Sequence, residues 1–135
     1  MIEFIKNLFS KPDDESANSV IQNSDATFVL KIDDKEVGEI VIGTLEFRNN
    51  FWIFKYSEAF KQQQKYRRLV GFSDLDKMYK REVLWPFFKI RIPGLKQPLV
   101  QKILEEEAIN KNDEVSLLKR FGKRSISNPY LLEIA

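Results

Sequence analysis

Phe47-Arg48-Asn49-Asn50-Phe51-Trp52 sets two consecutive asparagines between two runs in which bulky and polar residues alternate. A two-residue hairpin turn needs positive φ at both central positions, and asparagine tolerates that conformation better than most residues. The turn therefore predicts a register: Arg48 opposite Phe51, Phe47 opposite Trp52, and Leu45 opposite Phe54. Side chains alternate across a strand. Leu45, Phe47, Trp52, Phe54 and Tyr56 then share one face, while Glu46, Arg48, Ile53 and Lys55 share the other. One face is an aromatic core and the other is mixed. A one-residue slip would bury the charges, so the register is self-consistent.

Working upstream, Phe28, Leu30 and Ile32 alternate with Val29 and Lys31, which reads as a first strand. Asp33 to Glu36 turns the chain into a second strand over Val37 to Arg48, in which Gly38 and Gly43 mark a bulge or bend. Phe51 to Tyr56 is the third strand. Lys11 to Ala26, with Pro12, Asp13, Asp14, Glu15 and several Ser and Asn, has linker composition. Met1 to Ser10 places Ile2, Ile5 and Phe9 at helical spacing. That is either a short helix docked on its own domain, a frayed end, or an anchor for a partner groove. The chain divides into an extension over 1–26 and one folded domain over 27–135.

Working downstream, Ser57 to Lys65 reads as a short helix capped by Ser57. Leu84-Trp85-Pro86-Phe87-Phe88 is a continuous bulky block, hence buried or an interface. Pro86 suits the first position of one short turn running to Ile90. Pro93-Gly94 is a corner. Pro98 opens a helix to Ala108 with Leu99, Val100, Ile103 and Leu104 as its apolar stripe. A second helix, Asp113 to Phe121, has Asn112 or Asp113 as cap and Leu117, Leu118 and Phe121 as its buried side. Lys119 and Arg120 in its last turn and Gly122 beyond it suit a helix end. Tyr130 to Ile134 can close the sheet. The fold class is α+β, a small antiparallel β-sheet packed with short α-helices.

Composition removes whole classes of function. At 135 residues and 43% hydrophobic, with eleven Phe, the chain can bury one sizeable core. It has no Cys and no His, so disulfides and the usual Ser/His or Cys/His nucleophiles cannot be built, and a zinc site is disfavoured. The five glycines are scattered, with no phosphate-loop spacing. Asp13-Asp14, Asp33-Asp34 and Glu105 to Glu107 sit at turns or on a polar helix face and read as solvation and capping. No catalytic, cofactor-binding or metal-binding residue is expected, and the chain is not expected to be an enzyme. No apolar run reaches the ~18 residues of a membrane span, and the N-terminus lacks a basic n-region, so a cytoplasmic location is expected. Net charge is +2, with a local basic stretch from Lys61 to Arg91. This is either a solvated face or a patch for an acidic protein or nucleic acid.

The ordered set of short motifs resembles a known family. Val37-Gly38, Gly43-Thr44-Leu45 and Phe54-Lys55-Tyr56-Ser57 resemble the start of the N-terminal domain of HipA-type proteins. Leu84 to Phe88, Ile92-Pro93-Gly94, Asn112-Asp113, Leu117-Leu118 and Gly122 then follow in the family's order, so that the likeness spans roughly Phe28 to Ile134. There are departures. Leu69-Val70-Gly71-Phe72-Ser73 replaces the family's Ser-Leu-Pro segment, and Gly94 follows Pro93 without the intervening Glu. Lys89 and Arg91 stand where the family tends to be acidic or neutral, and the first 26 residues have no counterpart.

The resemblance implies a free-standing, non-catalytic binding protein. It would be an antitoxin or accessory subunit that binds a HipA-like serine/threonine kinase in a bacterial toxin–antitoxin system. A DNA-binding antitoxin would be a further component of the same complex, and neither a membrane nor direct contact with nucleic acid is expected. Trp85 and Phe87 are the candidate anchors for that partner, with Arg81, Lys89 and Arg91 as a charged rim. The competing reading puts Trp85 in the core. The alternative function is a small nucleic-acid-binding or operon-regulating protein that uses the basic 61–91 stretch.

Overall fold

A computed structural model describes residues 24–135. The readings made for Met1 to Ser10 and for most of the linker lie outside the described residues. In chain order the elements are β1 (Ala26–Asp34), β2 (Gly38–Arg48), β3 (Phe51–Tyr56), α1 (Glu58–Gln62), β4 (Tyr79–Arg81), α2 (Pro86–Lys89), α3 (Pro98–Glu106), α4 (Glu114–Phe121) and β5 (Leu131–Ile134). The strands form one antiparallel sheet in the order β4-β3-β2-β1-β5. Among the described residues no helix is long and apolar enough to cross a membrane.

The asparagine turn sets the central register as expected. Asn49 and Asn50 have φ of 50° and 66°, and Arg48 pairs with Phe51, Phe47 with Trp52 and Leu45 with Phe54. The first hairpin turns through Lys35 to Val37 and returns at Gly38, whose φ of 83° favours a residue without Cβ. Between β1 and β2 the pairing shifts after Leu30, so that Ile42 is an extra residue on β2 with its side chain fully buried. Gly43 beside it cannot carry a side chain. A Cβ there would lie 2.4 Å from the Lys55 carbonyl oxygen and against the Phe54 ring.

One face of the sheet starts the core. Phe28, Leu30, Ile32, Leu45, Phe47, Trp52, Phe54, Tyr56 and Leu132 are all buried there. Phe60 of α1, Phe88 of α2, and Val115 and Leu118 of α4 join the same cluster, together with Leu84, Leu69 and Phe72 from connecting segments. A second, smaller cluster of Val100, Leu104 and Leu117 lies between α3 and α4. Helix α4 links the two, since Leu118 faces one cluster and Leu117 the other. Asp113 caps α4, its carboxylate accepting from the Ser116 N–H at 3.1 Å and from the Ser116 hydroxyl at 2.7 Å.

Two expectations are corrected, and one element is added. Leu99 is exposed and not part of the α3 stripe, because Val100 and Leu104 alone turn that helix's first two turns inward. Asp34 caps the turn as expected but is buried rather than solvated. Its carboxylate accepts from the Glu36 and Val37 N–H groups at 2.8 and 3.1 Å, from the Tyr66 hydroxyl, and from the Lys65 ammonium at 2.7 Å. Those four donors hold the carboxyl well below the usual carboxylate range, with Lys65 the largest influence and Tyr66 next. Finally, Tyr79–Arg81 forms an edge strand that no alternating apolar pattern announces. Its short length and its lysine and arginine are how an edge avoids pairing with other chains.

Candidate partner-binding face

The 82–91 segment runs from β4 over the end of the core. Leu84 and Phe88 are its anchors and are fully buried. The residues between and around them are divided. Trp85 and Phe87 are half-buried, while Val83 and Ile90 are exposed. Trp85 meets Phe72 edge-on at 5.2 Å between ring centroids and Phe88 at 6.4 Å, and the Arg81 guanidinium sits 5.9 Å from its ring. Phe87 contacts Phe88, Phe72 and Tyr130 with centroids at 5.1, 6.3 and 6.0 Å. The core reading of Trp85 holds in part, since the ring packs against the core cluster and stays partly exposed. The indole makes edge contacts with the core rings, and its exposed part lies beside the Arg81 guanidinium. This is an aromatic ring at the surface oriented by edge contacts with Phe72 and Phe88, with a positively charged neighbour and two exposed aliphatic side chains in the same segment.

Lys89 and Arg91 have different fates. Lys89 is exposed, and its ammonium lies 3.7 Å from Glu114, a surface pair of small energetic weight. Arg91, expected on the charged rim, is buried, and that assignment is corrected. Its Nη1 donates to the carbonyls of Gly122 at 2.9 Å and Lys123 at 3.3 Å. Its Nη2 donates to Asn128 Oδ1 at 3.0 Å and to the Tyr130 carbonyl at 2.9 Å. Burial lowers its pKa to about 10, so it is still a cation at neutral pH. The physical reason lies in the local turn. Arg91 follows buried Phe88 by three positions and its N–H bonds the Phe88 carbonyl, which puts both side chains on the inward side. Gly122 closes α4, so the guanidinium also sits at the negative end of that helix. The i, i+3 relation to Phe88 was the signal available in the sequence.

A separate concavity lies beside α1. Ser57 caps that helix, its Oγ accepting from the Phe60 N–H at 3.0 Å and donating to the Val41 carbonyl at 2.5 Å. After α1 the chain has no regular structure until β4, yet it is pinned at several points. Gln63 donates to the Phe60 and Tyr66 carbonyls and accepts from the Tyr66 N–H. The Tyr56 hydroxyl accepts from the Leu69 N–H at 2.8 Å and donates to the Phe72 carbonyl. Burial pushes the Tyr56 phenol up to about 12. The result is a cleft of about 430 Å³ lined by Phe60, Gln63, Gln64, Tyr66, Arg67, Arg68 and Leu75.

This is a one-sided antiparallel sheet whose helices and long connection cluster around a single aromatic core, an α+β domain with a half-exposed aromatic face beside its sheet edge. Residues 36–127 match the model of the HipA N-terminal domain, which is more than half of the chain. The protein belongs to that family. No curated protein matches the sequence closely enough to be reported as a relative.

Proposed function

We propose that this chain is a non-catalytic binding protein that associates with a HipA-like serine/threonine kinase and regulates it, as an antitoxin or accessory subunit of a bacterial toxin–antitoxin system. The match over residues 36–127 to the HipA N-terminal domain carries this reading. The surface that suits it is the 81–90 segment. Trp85 and Phe87 are the anchors, held against Phe72 and Phe88, and Arg81 and Lys89 supply charge at the rim. Aromatic anchors fixed before contact lose little freedom on binding, which is why such side chains dominate interface energies.

The basic 61–91 stretch supports a protein partner better than a nucleic acid. Lys61 is held by Glu58 and Asp76, Lys65 by Asp34 and Glu36, and Arg91 is buried. Of the remaining cations, Lys77, Lys80 and Arg81 lie among Asp74, Asp76 and Glu82 in the sequence, which weakens the case for a phosphate backbone.

The test is co-expression with the HipA-like kinase encoded nearest to its gene, followed by affinity capture and kinase assay. A stable complex that Trp85→Ala weakens at least tenfold, with the fold retained, is the expected result. Failure of the two purified proteins to associate would overturn the proposal.

A further inference from the structure

The cleft beside α1 lies apart from the aromatic face and has a chemistry of its own. Its floor is apolar, formed by buried Phe60 with half-buried Tyr66 and Leu75. Its rim carries two consecutive exposed arginines, Arg67 and Arg68. Among the described residues, the ion pairs around it join Lys61 to Glu58 and Asp76, and Lys65 to Asp34 and Glu36. Neither arginine takes part in them. Each guanidinium is a planar fork of donors matched to a carboxylate, and the walls beneath it are set by the bonds of Gln63, Tyr66 and Tyr56.

We infer that this cleft binds an acidic peptide segment of a partner protein, seating an apolar side chain on Phe60, Tyr66 and Leu75 and carboxylates on Arg67 and Arg68. The inference goes beyond the proposed kinase association and does not depend on it. The volume of about 430 Å³ suits one or two side chains rather than a folded surface. Leu75 on its wall is flanked in sequence by Asp74 and Asp76, which would repel a polyphosphate passing along the cleft. A peptide that places its charge at one end and an apolar residue at the other meets the arginines and avoids those carboxylates.

The full-length protein, labelled with nitrogen-15, is titrated with hexapeptides that carry three glutamates at one end and three leucines at the other. Amide shifts should centre on Tyr66, Arg67, Arg68 and Leu75, and should vanish when lysine replaces glutamate in the peptide. The double variant Arg67→Gln with Arg68→Gln should melt like the parent and bind the peptide about tenfold more weakly, with reduced salt dependence. Trp85→Ala should leave peptide binding unchanged, which separates this site from the kinase face. Any of three results would overturn the inference. The first is no shift at millimolar peptide, or shifts centred elsewhere. The second is a short single-stranded oligonucleotide binding the same residues more tightly than the peptide. The third is a gain of about tenfold in peptide affinity when Asp13, Asp14 and Glu15 are neutralised, which would make the chain's own acidic run the occupant.

Discussion

Arg91 Nη1 lies 2.9 Å from the Gly122 carbonyl oxygen, joining two residues 31 positions apart, and the same guanidinium reaches Tyr130 just before β5. One buried cation thus holds the end of α2, the end of α4 and the approach to the last strand. Its acceptors are three backbone carbonyls and one amide oxygen, with no carboxylate among them. Replacing it strands those acceptors inside the protein. Arg91→Met should cost about 2–4 kcal/mol in urea unfolding, and Arg91→Glu more, since a carboxylate would then face carbonyl oxygens. Lys89→Glu, two positions away, should stay within about 0.5 kcal/mol. Equal stability of the Arg91 and Lys89 variants would contradict this arrangement.

Trp52 is buried between Phe47, at a ring separation of 4.8 Å, and the aromatic core of β3. Trp52→Ala should lose about 3–5 kcal/mol. Phe51→Ala, on the opposite face, should lose clearly less. A cooperative melt at nearly the parent temperature would place Trp52 outside the core.

Asp34 sets a dependence on acid. Its pKa is depressed in the folded state, so its contribution is present above the unfolded value near 4 and is lost as pH falls below that value toward the folded one. Glu133, lowered by Lys31, acts with the same sign. The parent protein should therefore lose stability progressively below about pH 4. Asp34→Asn should be less stable at neutral pH and should show a shallower decline in acid. Parallel profiles for the two proteins would show that the carboxylate is not the titrating group.

Tyr56 acts at the other end of the pH scale. Its phenol is raised to about 12 by burial, so the stabilising neutral form is fully present below the unfolded value near 10. The contribution is lost as pH rises through the folded value. Tyr56→Phe removes the bonds to Leu69 and Phe72 and should flatten the alkaline unfolding profile. Circular dichroism across the alkaline range, at fixed urea, reads this directly.

Arg81→Glu combined with Lys89→Glu alters exposed charges on the 81–90 segment and leaves the core intact. The variant should fold normally and associate with the kinase more slowly at low salt, with little change in dissociation rate. An unchanged association rate at both low and high salt would move the interface away from this segment.

Four of the five strands were legible in the sequence, because two asparagines fixed one register and alternation marked the others, whereas the short edge strand Tyr79–Arg81 carries no such pattern. Gly122 and Asp113 likewise marked both ends of α4, the glycine because a Cβ there would lie 2.5 Å from the Leu118 carbonyl. The roles of the charged residues were harder to read. Asp34 looks like an ordinary surface residue in sequence and Arg91 carries only its i, i+3 relation to Phe88 as a signal, yet each is held by partners that only the tertiary fold brings near, Tyr66 in one case and Gly122 to Tyr130 in the other. The α1 cleft was equally hidden, since it depends on side-chain bonds within a segment without helix or strand periodicity.

The pairing of β5 with β1 has a consequence for how the protein is made. Leu132 lies opposite Leu30, and the Ala135 N–H reaches the Thr27 carbonyl at 2.9 Å, so β1 waits for a partner strand about 100 residues further along the chain. On the ribosome, the β1–β2–β3 meander can form early, but its β1 edge stays open and Leu30 lacks its neighbour until Leu132 has left the exit tunnel. The nascent chain therefore carries an unpaired edge beside apolar residues from the emergence of β1 until that of β5, the interval in which a chaperone or an early-bound partner would matter most.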